Sequence, residues 1–372
     1  MTASNLPGRE LTRTDFLKLG GGASVALLLF GGVGCGGGTS GSGGGPVDVS
    51  VGTVAGSSAD AAIFIALEKG YFEEQGINVS LEPFDSGARM IAPLGSGELD
   101  VASGSISAGL YNAIARGVNF SIVADKARAI PPEGHQALAV RKDLVDGGEF
   151  TGYEDLEGLT VTIAATGSAS EMPLYLMLEE AGLSMNDVQL EELGFAEQIS
   201  AFENGSIDAG ILIEPSMTQV EQNGAAVRYA GTVDVFPNQQ SSGILFGDEF
   251  AQRDDEVTRG FLLAYIQGVR YYNDALSDGR LSGSNADEIA DILVEYTEVA
   301  DPELYREIYL HGVHPDGELH VENMRRELQY WNEQGYIESD VAVEEAIDTS
   351  FLDAALEELG PYQGEYAPYY SE

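Results

Sequence analysis

The stretch from Val49 to Val79, VSVGTVAGSSADAAIFIALEKGYFEEQGINV, constrains the fold of this 372-residue chain more than any other. A β-branched run leads into a loop of Gly, Ser and Asp, then an amphipathic helix, a glycine and a second β-branched run, which is the order of a strand, helix, strand unit. The pattern returns about 110 residues further on, from Leu159, as LTVTIAATGSASEMPLYLMLEEAGL. A second echo keeps nearly the same offset: Leu94, Gly97, Leu99, Asp100 and Val101 in LGSGELDVA answer Phe202, Gly205, Ile207, Asp208 and Ala209 in FENGSIDAG. Two matching offsets predict two α/β lobes, each with a parallel sheet whose ligands bind beyond the carboxyl ends of the strands. Facing lobes enclose a cleft.

Composition narrows the function. With 44% apolar residues the chain has material for two packed cores. Its formal charge of −43, from 61 acids against 18 bases of which only Lys18, Lys69, Lys126 and Lys142 are lysine, repels phosphates and anionic lipid. A nucleic-acid partner is excluded. Such scarcity of lysine resembles proteins of very salty surroundings and predicts partial unfolding at low salt.

The amino end reads as an export signal over residues 1–34: Arg9, Arg13 and Lys18 precede an apolar run from Leu19 to Val33. That run is shorter than the ~20 residues a spanning helix needs. Thr12 to Gly21, TRTDFLKLGG, resembles a twin-arginine signal with Thr14 in place of the second arginine, and Gly32-Val33-Gly34-Cys35 resembles a lipoprotein cleavage box with Gly32 in place of leucine. A lone cysteine is often just a small buried residue. Cys35 lies between an export run and GGGTSGSGGGP, where nothing packs, so it is expected to carry lipid, with residues 35–46 a Gly/Ser tether.

Along the exported body, a first helix is expected over about Ala59–Gln75, with Ile63, Leu67 and Tyr71 on its buried face. Ser57, Ser58 and Asp60 are N-cap types at its start, so they either cap the helix or form an anion site with its free N–H groups. Ser86 and Gly87 follow the next strand; Ser103, Gly104 and Ser105 are read as a loop between a strand Leu99–Ala102 and a helix Ile106–Arg116. In the second lobe, Thr166, Gly167, Ser168 and Ser170 occupy the loop after a strand, and Glu214 ends another. The chain is expected to cross between lobes near Pro131–Gly134 and again near Asn238–Ile244. Lobe 1 therefore spans 47–135 and 240–360, the latter helical from Asp254, and lobe 2 spans 136–239; the aperiodic tail 361–372 is expected to be mobile.

Ala66 to Val79, ALEKGYFEEQGINV, makes a specific resemblance to the periplasmic binding proteins of ABC importers that take nitrate, alkanesulfonates, taurine and thiamine-pyrimidine precursors. Asp155-Leu156-Glu157-Gly158, Gly205 to Ala209, Glu214-Pro215 and Phe261 to Tyr265 also look like that group, and the likeness covers about Val49 to Gly335. It implies a two-lobed type II binding-protein fold, with two parallel or mixed sheets, that closes on a small solute and delivers it to a membrane permease and its ATPase. The family's ligand-facing loops fall on Ser57 to Asp60, Ser86-Gly87, Ser103 to Ser105, Thr166 to Ser170 and Glu214. No cofactor, metal or catalytic residue is implied; the body is expected to be a monomer outside the cytoplasmic membrane, held there only by lipid on Cys35.

Small hydroxyls line these loops, with carboxylates at Asp60, Glu171 and Glu214 and an arginine only at Arg89, a set suited to an amino sulfonate or an aminopyrimidine. Glu214 is read equally as a ligand contact and as a solvated or hinge-capping acid. Two rivals remain. An enzyme like the thiamine-pyrimidine synthases shares the implied fold, but needs a cysteine-rich motif that a body without cysteine after Cys35 lacks. A tethered sensor would use the same clamp. A zinc site from His311, His314 and His320 is disfavoured, because Gly312, Pro315 and Gly317 break any helix that would align them.

Overall fold

A computed structural model describes residues 45–297, 299, 301–364, 367 and 370. The export signal, Cys35 and the tether up to residue 44 lie outside the described residues. Strands β1 (Val47–Val54), β2 (Ile77–Phe84), β3 (Val101–Ser105), β4 (Phe120–Arg128) and β10 (Gln240–Gly247) make one sheet, in the order β2-β1-β3-β10-β4. Strands β5 (Gln136–Arg141), β6 (Thr160–Ile163), β7 (Gln189–Glu192), β8 (Ala209–Ile213) and β9 (Ala226–Gly231) make the other, in the order β7-β6-β8-β5-β9.

Each sheet is parallel except for one strand, and that strand is the one arriving from the other sheet. β10 runs antiparallel to β3 and β4, and β5 runs antiparallel to β8 and β9. A chain leaving the carboxyl end of β4 or coming from the carboxyl end of β9 enters its new sheet at the same kind of edge, so it must run backwards. The crossings, residues 129–135 and 232–239, thereby tie together the two edges at which ligands bind in open α/β sheets.

Helix α1 (Ala61–Glu68) follows β1. Its first six residues are all buried, because one side faces the sheet through Val49, Val51 and Val101 while α6 (Asp255–Asn273) and α7 (Ala286–Tyr296) cover the other. The expected single helix to Gln75 breaks at Gly70, whose φ of +73° ends α1; a short helical turn, Tyr71–Glu74, then buries Phe72 in place of Tyr71. Ser103 to Ser105 also differ from expectation. They belong to β3, and α2 (Ala108–Ala115) starts only after Ser107, whose Oγ caps it by accepting from Leu110 N. Small residues extend the strand because β10 lies close: a Cβ on Gly104 would sit 2.3 Å from Leu245.

The repeated aspartates explain the second sequence echo. Asp100 accepts from Ser50 N at 2.9 Å, within β1, and Asp208 accepts from Thr160 N at 3.0 Å, at the start of β6, so each pins the neighbouring parallel strand. Each also meets an arginine, Arg253 at 2.5 Å and Arg141 at 3.0 Å.

In the second sheet α3 (Glu171–Glu180) follows β6, α4 (Phe195–Asn204) follows β7 and α5 (Ser216–Gln222) follows β8. The carboxyl-terminal part is mainly helical, with a small hairpin, Leu276–Ser277 against Arg280–Leu281, that the sequence did not announce. Helix α8 (Val321–Glu333) packs Met324, Leu328 and Trp331 with Tyr111 of α2 and Met172 of α3, and α9 (Ser350–Leu359) returns to the core beside α6. No helix among the described residues is long and apolar enough to cross a membrane.

The contact of α1 with α6 depends on Gly268, where a Cβ would lie 2.2 Å from the Ala62 carbonyl oxygen. Gly268→Ala is expected to force these helices apart and to lower stability by about 1–3 kcal/mol, read as a lower denaturant midpoint with the cooperative transition retained.

Candidate functional site

The site is built from the ends of β1, β3 and β4 on one side and of β6 and β8 on the other. After β1 the chain makes a 3-10 turn, Ser58–Asp60, with Ser57 as its cap: Ser57 Oγ accepts from Ala59 N at 3.2 Å. Asp60 is 1% exposed; its Oδ2 accepts from Val54 N at 2.9 Å and its Oδ1 lies 3.0 Å from Lys126 Nζ, itself 3% exposed on β4. The hydroxyls of Ser58 and Ser103 are buried and have no hydrogen-bond partner among the described residues. Gly87 lies against β3, where a Cβ would stand 2.5 Å from Ser105 N, and half-buried Ser86 precedes it.

On the facing side Ser168 Oγ donates to Ala165 O at 2.6 Å and lies 2.8 Å from Ser170 Oγ, which accepts from Ala164 N. Thr166 is exposed and donates to Glu192. Gly167 carries a backbone contact between lobes. Its carbonyl accepts from Ala108 N, at the start of α2, at 2.9 Å, and the backbone can come this near because a Cβ there would sit 2.9 Å from Ala108 Cβ. With φ at +72° the position suits glycine on conformational grounds too.

Glu171 and Glu214 are engaged within the protein. Glu171 Oε2 accepts from Gly167 N at 2.6 Å, while Oε1 accepts from Tyr336 at 2.8 Å and from Tyr330 of α8 at 3.1 Å. Glu214 Oε1 meets Arg228 at 2.5 Å, its Oε2 accepts from Thr218 N at 3.0 Å, and its own N–H donates to His135 O. Burial still raises the Glu214 carboxyl above its usual range, against the pull of Arg228. The structure thus gathers Ser57, Ser58, Asp60, Ser86, Gly87 and Ser103 to Ser105 on one edge and joins Thr166 to Ser170 to that edge at Ala108. Glu214 turns towards Arg228.

Sequence reasoning passed over the groups between these edges. Lys126 is a buried and Arg228 a half-buried cation inside strands, and that was the available signal: a charge within FSIVADKARAI or AVRYAG has to find a partner. On the first crossing His135 stacks on His311 with ring centres 3.7 Å apart. Burial, with Arg228 and Lys126 nearby, pushes His135 down to about 3, and burial with His135 and Lys126 holds His311 well below its ordinary value. Both rings are neutral. His314 Nδ1 accepts from Asp316 N and Glu318 N, and His320 Nδ1 caps α8 through Asn323 N, so these rings serve the backbone. Among the described residues no three metal-binding side chains cluster.

On the second crossing Gln239 Nε2 donates both to Ala169 O of lobe 2 and to Glu327 Oε1 of α8, each at 2.7 Å. Glu327 is wholly buried, which lifts its carboxyl to about 8 despite Gln239 and Arg326.

This arrangement of two sheets meeting across crossing strands is found in known proteins. Residues 58–275, more than half of the chain, match the family model described as NMT1/THI5 like. The chain belongs to that family. It is 28% identical over 308 residues to a putative aliphatic sulfonates-binding protein of Bacillus subtilis, covering 80% of this chain and 85% of that one. The formylaminopyrimidine-binding protein of Halalkalibacterium halodurans is 23% identical over 291 residues, 77% and 85% of the two chains. The crystal structure of the periplasmic nitrate-binding protein of Synechocystis superposes with a TM-score of 0.69 at 14% identity, covering 85% and 89%, a likeness of fold.

Two outcomes follow from the α8 contacts. Because the Glu327 carboxyl rises from 4.5 to about 8 on folding, the unfolded chain loses its proton first and stability falls as pH climbs through that window. Glu327→Gln is expected to flatten this slope and to add on the order of 3 kcal/mol at pH 7, measured by denaturant midpoints at pH 5 and pH 8. Removing both hydroxyls with Tyr330→Phe and Tyr336→Phe frees Glu171 and is expected to speed hydrogen exchange at the Ala108 amide, with exchange in the middle of β3 unchanged.

Proposed function

We propose that this chain is the extracytoplasmic solute-capturing component of an ABC importer, exported by its amino-terminal signal, tethered by lipid on Cys35 and working in high salt. The observation that carries this reading is the meeting of two carboxyl-terminal sheet edges at Ala108 and Gly167, with the buried hydroxyls of Ser58 and Ser103 beside the start of α1. Helix starts at such edges offer N–H groups and a favourable dipole to small polar solutes. The names of the relatives support a solute of the sulfonate, nitrate or aminopyrimidine type. A solute that touches both lobes favours the shut form by the difference between its contacts in the shut and open forms.

The test is a thermal-shift and X-ray scattering series in concentrated salt with taurine, ethanesulfonate, nitrate and formylaminopyrimidine. A true solute at a hundredfold excess over its dissociation constant is expected to add about 2.7 kcal/mol and to raise the melting temperature by about 5 °C, together with a smaller radius of gyration. Unchanged melting and scattering with every one of them would sink the proposal.

A further inference from the structure

Among the described residues Lys126 is the most deeply buried lysine, in a strand whose other buried charges, Asp125 and Arg128, pair with each other at 2.8 Å, so its ammonium needs a reason to be there. Its one charged partner among the described residues is Asp60. A buried ion pair is weak evidence for stability, since apolar residues of similar volume often serve as well or better. The pair is also poorly balanced. Asp60 spends one oxygen on Val54 N, leaving the other to Lys126, while the ammonium has three N–H bonds to place.

The surroundings add more donors. Ser58 shares the 3-10 turn of Asp60, and its hydroxyl, 3% exposed, has no partner among the described residues. Ser103, wholly buried and likewise without a partner, lies two residues beyond Val101, which pairs with Val51 of β1. Just past Asp60 comes the amino end of α1, an eight-residue helix whose dipole adds positive potential. Towards the crossing, the stacked rings of His135 and His311 feel the Lys126 charge and are themselves neutral, so they bring no counter-charge. Among the described residues Asp60 is the one carboxylate that pairs with Lys126.

We propose that Lys126, with the Ser58 and Ser103 hydroxyls, is the anion-binding subsite of lobe 1, and that the solute presents to it one singly charged oxyanion group. The inference rests on the solute-capture reading and chooses among the solute types left open there. An acceptor-rich head group satisfies the ammonium and both hydroxyls at once, with Asp60 keeping Lys126 in place through its bond to Val54 N. A neutral aminopyrimidine leaves the buried ammonium without a second charged acceptor. Sequence inspection found only Arg89 near these loops; the structure leaves Arg89 exposed, beside Asp85 at 3.8 Å.

The experiment is titration calorimetry with ethanesulfonate, nitrate and formylaminopyrimidine on the wild type, on Lys126→Met, and on Lys126→Met with Asp60→Asn. The double substitution leaves no buried acid alone, and a cooperative melt by circular dichroism certifies its fold. The wild type is expected to bind an anionic probe, and both variants to bind it about 100-fold more weakly. Wild-type affinity for that anion in the folded double variant overturns the assignment and makes the pair structural. Binding of formylaminopyrimidine alone by the wild type overturns it while leaving solute capture intact. If the wild type binds none of the probes, the solute-capture reading falls and this inference with it.

Discussion

The shape of the site depends on where the chain is allowed to pass between its two sheets. Both crossings leave from and return to carboxyl-terminal edges, and this one restriction reverses β5 and β10 and brings the loops after β1, β3, β6 and β8 together. Parallel sheets already gather their ligand-binding loops at that edge. Joining two of them there turns two edges into the walls of one gap. Polar groups collect in it because backbone N–H and C=O groups at strand ends have run out of ladder partners.

Helix α8 lies beside this gap and touches both walls. Through Trp331 and Met324 it packs with Tyr111, through Tyr330 it reaches Glu171, and through Glu327 and Gln239 it is linked to Ala169. Glu171 is thereby shared: it orients Gly167 from within its own lobe while accepting two hydroxyls from the carboxyl-terminal part. The position of the Thr166–Ser170 loop is set as much by α8 as by β6.

Much of this could be read in the amino-acid order. Repetition at a constant offset gave two α/β units, and glycine with serine after β-branched runs located the loops at strand ends. The repeated aspartates were legible as an echo, although their work, pinning the neighbouring strands β1 and β6, needed coordinates. Two boundaries moved for local reasons: Gly70 turned the chain inside an apparently continuous helix, and small residues at Ser103 to Ser105 suited a crowded strand as well as a loop. The pairs Asp60 with Lys126 and Glu214 with Arg228 stayed hidden because their members come from different elements. Periodicity reports which residues share a face of one element, and is silent about what reaches that face from another.

One consequence belongs to Gly167. At the point where the lobes meet, the spacer between them is a bare peptide, with Ala108 the residue opposite. The separation of the lobes at this point is therefore set by main-chain thickness. A side chain larger than hydrogen at this position would hold the two walls further apart.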